Sequence, residues 1–284
     1  MHVVVAGCGW LGAAIGVELL ARGHRVTAIR RDPVRASELA TLGLEPLVLD
    51  LSHPEAHQSF PADVQAIVGC QSARSNSADG YRSAYWTVNQ TLIAAAEALR
   101  VQALVYTGST GVFGFQDGRE VNEQTPAAPT GPSAAVLHQA EQLLVDAARR
   151  GIPTRVVRLS GLYGPGRWGM RQRVQSGALA LGDGDTAFMN FCHRDDAVEA
   201  VIGAMLRGTD GVIYHASDAD PPRRRDVVTW LAGQLGIIPP VSQQEANSSA
   251  PNRRVSAAWT RQQLGLTLKF ANFREGFSSV VSHA

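Results

Sequence analysis

Three glycines, Gly7, Gly9 and Gly12, stand in GxGxxG spacing between an apolar run from His2 to Ala6 and an apolar helical pattern from Trp10. A strand before and a helix after give that spacing its meaning as a phosphate cradle. Gly7 permits a tight turn, Gly9 lets backbone N–H groups approach a diphosphate, and Gly12 allows helix and strand to pack closely. Trp10 and Leu11 complete this cofactor loop. The next apolar run ends Arg30-Arg31-Asp32-Pro33. An acid at such a strand end binds a ribose 2′-hydroxyl, whereas an arginine accommodates a 2′-phosphate. Asp32, followed by Pro33 and an amphipathic pattern, reads as the N-cap of the next helix. Arg30 and Arg31 then favour NADP over NAD, unless both are solvated surface charges.

Ser109 and Thr110 close the run from Ala103 to Gly108 and are the candidates for holding a substrate oxygen. A hydroxyl orients a carbonyl but supplies no tuned proton. His193, in Phe191-Cys192-His193-Arg194-Asp195-Asp196, would donate a proton near neutral pH if it faced a cleft. The architectural alternative makes this segment the start of a helix anchored by Asp196. Glu123 reads as an exposed loop acid. Arg167, Trp168, Arg171 and Arg173 fit an anionic or phosphorylated ligand, or equally a solvated helix face.

These groups need a scaffold, and short apolar runs alternate with longer helical patterns over the first two thirds of the chain. Runs without polar alternation belong to strands buried on both faces, so a parallel sheet covered by helices is expected. Strands are predicted at 2–7, 24–31, 45–51, 66–70, 103–108 and 154–159, with helices near 85–99 and 133–149. The expected fold is α/β, a doubly wound parallel sheet (Rossmann fold) with a small C-terminal substrate lobe. Residues 1–165 would form the NAD(P)-binding domain with a returning segment near 186–218. The lobe would comprise 166–185 and 219–284, with two helices after Pro221 packed over the sheet's carboxyl edge.

Composition narrows the partners. The 284 residues carry 26 basic against 25 acidic side chains, a net charge of +1, so no global field attracts nucleic acid or an anionic membrane. A small-molecule substrate is expected instead. Cys8, Cys70 and Cys192 form neither a disulfide framework nor a zinc site and fit a reducing cytoplasm. The apolar N-terminus lacks a basic region, and no apolar stretch spans a membrane.

GCGWLG, ALVYTGSTGVFG, RLSGLYGPG and NFCHRDDAVEA, in this order, resemble the extended short-chain dehydrogenase/reductases of the epimerase/dehydratase-like group. The resemblance implies that Ser109 is the family's substrate-binding serine and that Leu159, Ser160 and Leu162 lie beside the nicotinamide. It also implies that Asp50 and Leu51 flank the adenine, that Cys70 and Gln71 line the nucleotide cleft, and that Asn89 lies near the active-site strand. The family's chemistry rests on Tyr-x-x-x-Lys in the helix after the serine strand. Counting back from Ala140-Glu141 puts Ser133 and Leu137 at those positions, and the chain's one lysine is Lys269. Bringing a tyrosine from pKa 10 to near 7 takes about 4 kcal/mol of stabilisation, so the usual acid/base route is missing its means. His138 lies next to the absent lysine's position but points about 100° away.

The resemblance therefore implies an atypical NADP-preferring oxidoreductase acting on a small polar or anionic substrate, with hydride transfer and a water-borne proton. A non-catalytic NADP(H)-binding sensor is the alternative, and a nucleotide-sugar epimerase or dehydratase the third. A homodimer would pair the helices carrying Leu92, Ile93, Leu137, Leu143 and Leu144, unless these residues pack on the sheet.

Overall fold

The computed structural model describes residues 1–75, 77–167, 169–242 and 251–281. The first half runs β1 (His2–Ala6), α1 (Trp10–Ala21), β2 (Arg25–Arg30), α2 (Pro33–Ala40), β3 (Glu45–Val48) and β4 (Ala66–Gly69). Next come α3 (Ala78–Tyr81), a π-helical turn over Arg82–Thr87, α4 (Val88–Leu99), β5 (Ala103–Ser109), β6 (Glu120–Val121) and α5 (Pro132–Arg149). Then follow β7 (Thr154–Leu159), β8 (Gly161–Tyr163), α6 (Gly169–Gln175), β9 (Phe191–His193), α7 (Arg194–Arg207) and β10 (Ile213–Ala216). The chain closes with α8 (Arg224–Leu235), β11 (Arg254–Val255), α9 (Ala258–Leu264) and α10 (Phe273–Val281).

The doubly wound α/β fold is present. Seven parallel strands lie in the order β10-β7-β5-β4-β1-β2-β3. Val3 and Val5 of β1 face a core shared with Ile15 and Leu19 of α1 and Val201 of α7. Val4 and Ala6 face Leu92 of α4 and Leu144 of α5. Alternate side chains thus enter two separate apolar layers, which is why the strand reads as one unbroken apolar run.

Two features differ from the sequence expectation. The sheet has a seventh strand, because Ile213–Ala216 in the returning segment pairs with β7. Its four residues follow a long excursion through the lobe, so nothing local marks them as sheet. Among the described residues three helices rather than two follow Pro221, and the helix predicted at 85–99 is entered earlier, at Ala78, where Ser77 accepts a hydrogen bond from the Gly80 N–H. That entry is polar and lacks the apolar periodicity that betrays a helix.

The lobe has its own core, in which Tyr163 and Phe191 meet Val227, Leu231, Phe273 and Phe277. Leu92, Ile93, Leu137 and Leu144 are buried within the chain, and Leu143 is partly exposed. No helix among the described residues is long and apolar enough to cross a membrane.

One buried ion pair fixes α5 under the carboxyl end of β5. Arg158 of β7 donates through Nη2 to Glu141 Oε2 at 2.9 Å, and through Nε to both carboxylate oxygens. A Cβ at Gly108 would lie 2.8 Å from Glu141 Oε1, so glycine in β5 makes room for the pair.

Candidate functional site

The sheet's order reverses between β1 and β4, and a crevice opens there at the strands' carboxyl ends, the usual ligand position in such sheets. Gly7 has φ +74°, and a Cβ on it would lie 2.6 Å from the Gln71 Cα. A Cβ on Gly12 would stand 3.1 Å from Val5, the close helix-to-strand approach. At Gly9 the nearest atom to a Cβ is 3.8 Å away, so the protein itself does not require glycine there. The room above Gly9 is what a bound diphosphate would use. The loop is tied to β2 by the Cys8 N–H, which donates to the Ile29 carbonyl at 2.9 Å.

A groove of about 420 Å³ runs from this loop along the ends of β2, β3 and β4. It brings together Gly7, Gly9, Arg30, Arg31, Asp50, Leu51 and Gln71 of the predicted set. Arg35, Ser72, Arg74 and Ser75 join them and were not anticipated. Their signal in the sequence was the basic, serine-containing stretch after β4 and an arginine in the first turn of α2. Four guanidinium groups therefore border the groove, and its acids are already engaged. Asp32 caps α2, accepting from the Val34 and Arg35 N–H groups at 3.0 and 3.2 Å, as its place before Pro33 implied. Asp50 accepts from the Ser52 N–H and hydroxyl, and despite burial these bonds hold its carboxyl below the usual range.

The remaining predicted cofactor residues lie around rather than in the groove. Trp10 points away from it: its indole N–H donates to the Pro165 carbonyl at 2.8 Å, latching the glycine loop to the loop after β8, and Arg167 lies over its ring. Leu11 and Gly12 pack against the sheet, and burial pushes the Cys70 thiol up to about 12. Asn89 is buried and works through its neighbours, accepting from the Gln71 amide at 2.7 Å and donating to the Ala140 carbonyl. Leu159 ends β7, the buried Ser160 follows it, and Leu162 pairs with Cys192 across β8 and β9.

At the carboxyl end of β5, Ser109 is partly exposed, and its Oγ accepts from the Gly111 N–H at 3.0 Å, leaving the hydroxyl proton available to donate. Thr110 is buried, and its hydroxyl donates to the Leu159 carbonyl. Leu137 packs with Val112 and Phe113, so an apolar side chain fills that turn of α5.

His193 does not face the cleft. Burial pushes its imidazole down to about 4, so it is neutral at pH 7; its ring lies 4.0 Å from Phe270, and Nδ1 accepts from the Asp195 N–H as the N-cap of α7. The cap is therefore His193 rather than Asp196, whose carboxylate instead accepts from the Lys269 and Phe270 N–H groups and anchors the chain before α10. Glu123 is likewise engaged, accepting from the Thr260 N–H and hydroxyl of α9. Tyr163 donates to Asp218 at 3.0 Å inside the lobe's core. Arg171 and Arg173 lie in α6, and Trp168 falls outside the described residues. Among the described residues, no group of His, Cys, Asp and Glu is arranged to hold a metal ion.

Comparison with known proteins agrees with this architecture. The chain is 31% identical to the Escherichia coli (strain K12) protein YeeZ over 246 residues, 84% of this chain and 85% of that one. It is 30% identical over 247 residues to the Stigmatella aurantiaca 4-hydroxy-2-methyl-3-oxo-4-farnesyl-3,4-dihydroquinoline-1-oxide ketoreductase, covering 82% of this chain and 73% of the relative. A conserved protein from Silicibacter pomeroyi DSS superimposes with a TM-score of 0.81 at 24% identity, covering 100% and 99% of the two chains. The family model matches residues 3–216, carrying the glycine loop, the serine turn and the β7–β8 loop, and the chain belongs to the NAD dependent epimerase/dehydratase family.

Proposed function

We propose that the protein is an NADP-dependent reductase of a small polar or anionic carbonyl compound. The observation that carries the cofactor preference is the ring of Arg30, Arg31, Arg35 and Arg74 around a groove whose acids, Asp32 and Asp50, are already engaged. A 2′-phosphate entering there meets guanidinium donors without displacing an ion pair tighter than the 3.9 Å approach of Arg31 to Asp50. The Stigmatella aurantiaca relative, a ketoreductase by name, supports reduction as the reaction class.

Gly7 and Gly9 would hold the diphosphate, and the arginines the adenosine end. When bound, the dinucleotide would supply a hydride from its nicotinamide. Ser109 would donate its hydroxyl proton to the substrate's carbonyl oxygen and so orient it, while Gly111 holds the Oγ in place. With Leu137 packed in α5 and His193 neutral and buried, the proton that completes the alcohol comes from water.

Titration with NADPH and NADH, followed by pooled carbonyl compounds while NADPH absorbance is watched, tests this reading. NADPH should bind at least tenfold more tightly than NADH, and Arg30→Asp should remove that difference by placing a carboxylate at the phosphate position. Equal affinities in the wild type would overturn the NADP assignment. The packed Leu137 favours a second reading, a silent NADP(H)-binding protein, and tight binding without consumption in any pool would select it.

A further inference from the structure

Two guanidinium groups packed on the sheet have carboxylate partners: Arg158 pairs with Glu141, and Arg155 with Asp210, each at 2.9 Å. Arg253 does not, and shares with Arg224 an Nε without an acceptor. It is partly buried, its Nη2 donates to the Thr110 carbonyl at 2.8 Å, and its Nε is shielded from solvent without an acceptor. Among the described residues no carboxylate lies within ion-pair distance of it. Desolvation lowers its pKa, as expected where a cation lacks a counter-charge.

Its position is fixed from both sides. Asn190, just before β9, donates to the Arg253 carbonyl at 2.9 Å and accepts from the Val255 N–H at 2.7 Å. The N–H groups of Asn252 and Arg254 donate to the carbonyls of Phe115 and Arg119 beyond the serine turn. Asn190's own carbonyl accepts from the Gly161 N–H, and Thr110's hydroxyl reaches Leu159. The guanidinium therefore stands where the exits of β5 and β7 meet the lobe, held against the residue next to Ser109. A charged group left with one neutral acceptor is costly, and a planar fork of donors is the shape that a carboxylate or phosphate satisfies.

We propose that Arg253 is the anion receptor of the substrate cleft, binding a carboxylate or phosphate of the compound whose carbonyl oxygen Ser109 holds. The substrate is then a small oxo compound bearing an oxyanion, and Arg253 acts by positioning it. This rests on the reductase reading, so its test is binding rather than turnover, and the two fail separately.

The protein saturated with NADP is titrated calorimetrically with hexanoate, malonate and inorganic phosphate, with methyl hexanoate as the neutral control. At least one anion should bind and the ester should not; preference for phosphate or for the carboxylates identifies the oxyanion. Arg253→Gln should weaken anion binding at least tenfold with NADPH affinity unchanged. Should that variant fail to fold, Arg253→Lys, which keeps the charge and loses the fork, should weaken binding several-fold. Absence of any anion binding by the wild type, ester binding equal to the acid's, or unchanged affinity in the variants would overturn the assignment.

Discussion

Asp218 shows how one side chain's surroundings become a measurable property. It is 2% exposed, accepts from the Tyr163 hydroxyl and the His193 N–H, and burial pushes its carboxyl up to about 7. The folded state therefore holds this proton more tightly than the unfolded chain, where a carboxyl titrates near 4. Asp218 then lowers stability progressively as pH rises from about 4 to 7, by about 4 kcal/mol in all. His193 and His215, pushed by burial down to about 4 and about 3, work oppositely and cost stability as pH falls below their unfolded value near 6.5. The wild-type curve mixes these effects, but comparison with Asp218→Asn isolates one. The variant's stability relative to wild type should climb between pH 4 and 7 in denaturant titrations; a difference independent of pH would show that Asp218 does not titrate there.

The strand-turn-helix unit from β1 to α1 divides its glycines by task. Gly7 is required by the backbone itself, through φ +74° and the close approach of Gln71, so Gly7→Ala should cost more than about 1–2 kcal/mol of stability. Gly9 has φ −89° and open space, so Gly9→Ala should leave the thermal midpoint nearly unchanged while weakening NADPH binding tenfold or more. Equal effects of the two substitutions on stability would refute the division. This unit was the most legible part of the sequence, because the turn at Gly7 and the approach of Gly12 to Val5 are set within a few residues of chain, although Gln71 reaches Gly7 from far along it. The Asp32 cap was legible for the same reason. Arg74, and the contacts of Thr110, His193 and Glu123, were not: their partners Leu159, Phe270 and Thr260 come from distant segments, and only packing decides whether a polar side chain faces a cleft or a neighbour.

At the scale of the molecule, the C-terminal segment is a strap rather than an appendage. Arg254 and Val255 pair with β6, Lys269 and Phe270 bind Asp196 of α7, and Phe273 and Phe277 fill the lobe's core against Tyr163 and Phe191. Removing residues 243–284 would take away the buried side chains of Val255, Leu264, Phe273 and Phe277 and uncover the apolar surface they pack on, at about 2 kcal/mol each. That is about 8 kcal/mol, comparable to the whole stability of a typical domain. The shortened chain should show no cooperative unfolding transition by calorimetry, and a sharp transition near the full-length midpoint would contradict the strap. The overall layering was readable from periodicity, whereas the seventh strand and the strap were not, since their contacts join segments far apart in sequence.

The residues lining the groove beside the glycine loop all lie between Gly7 and Val88, whereas Arg253 comes far later in the sequence. Synthesis on the ribosome runs in that order, and folding proceeds from the N-terminus. The segments that line the groove are thus all synthesised before the segment that carries Arg253.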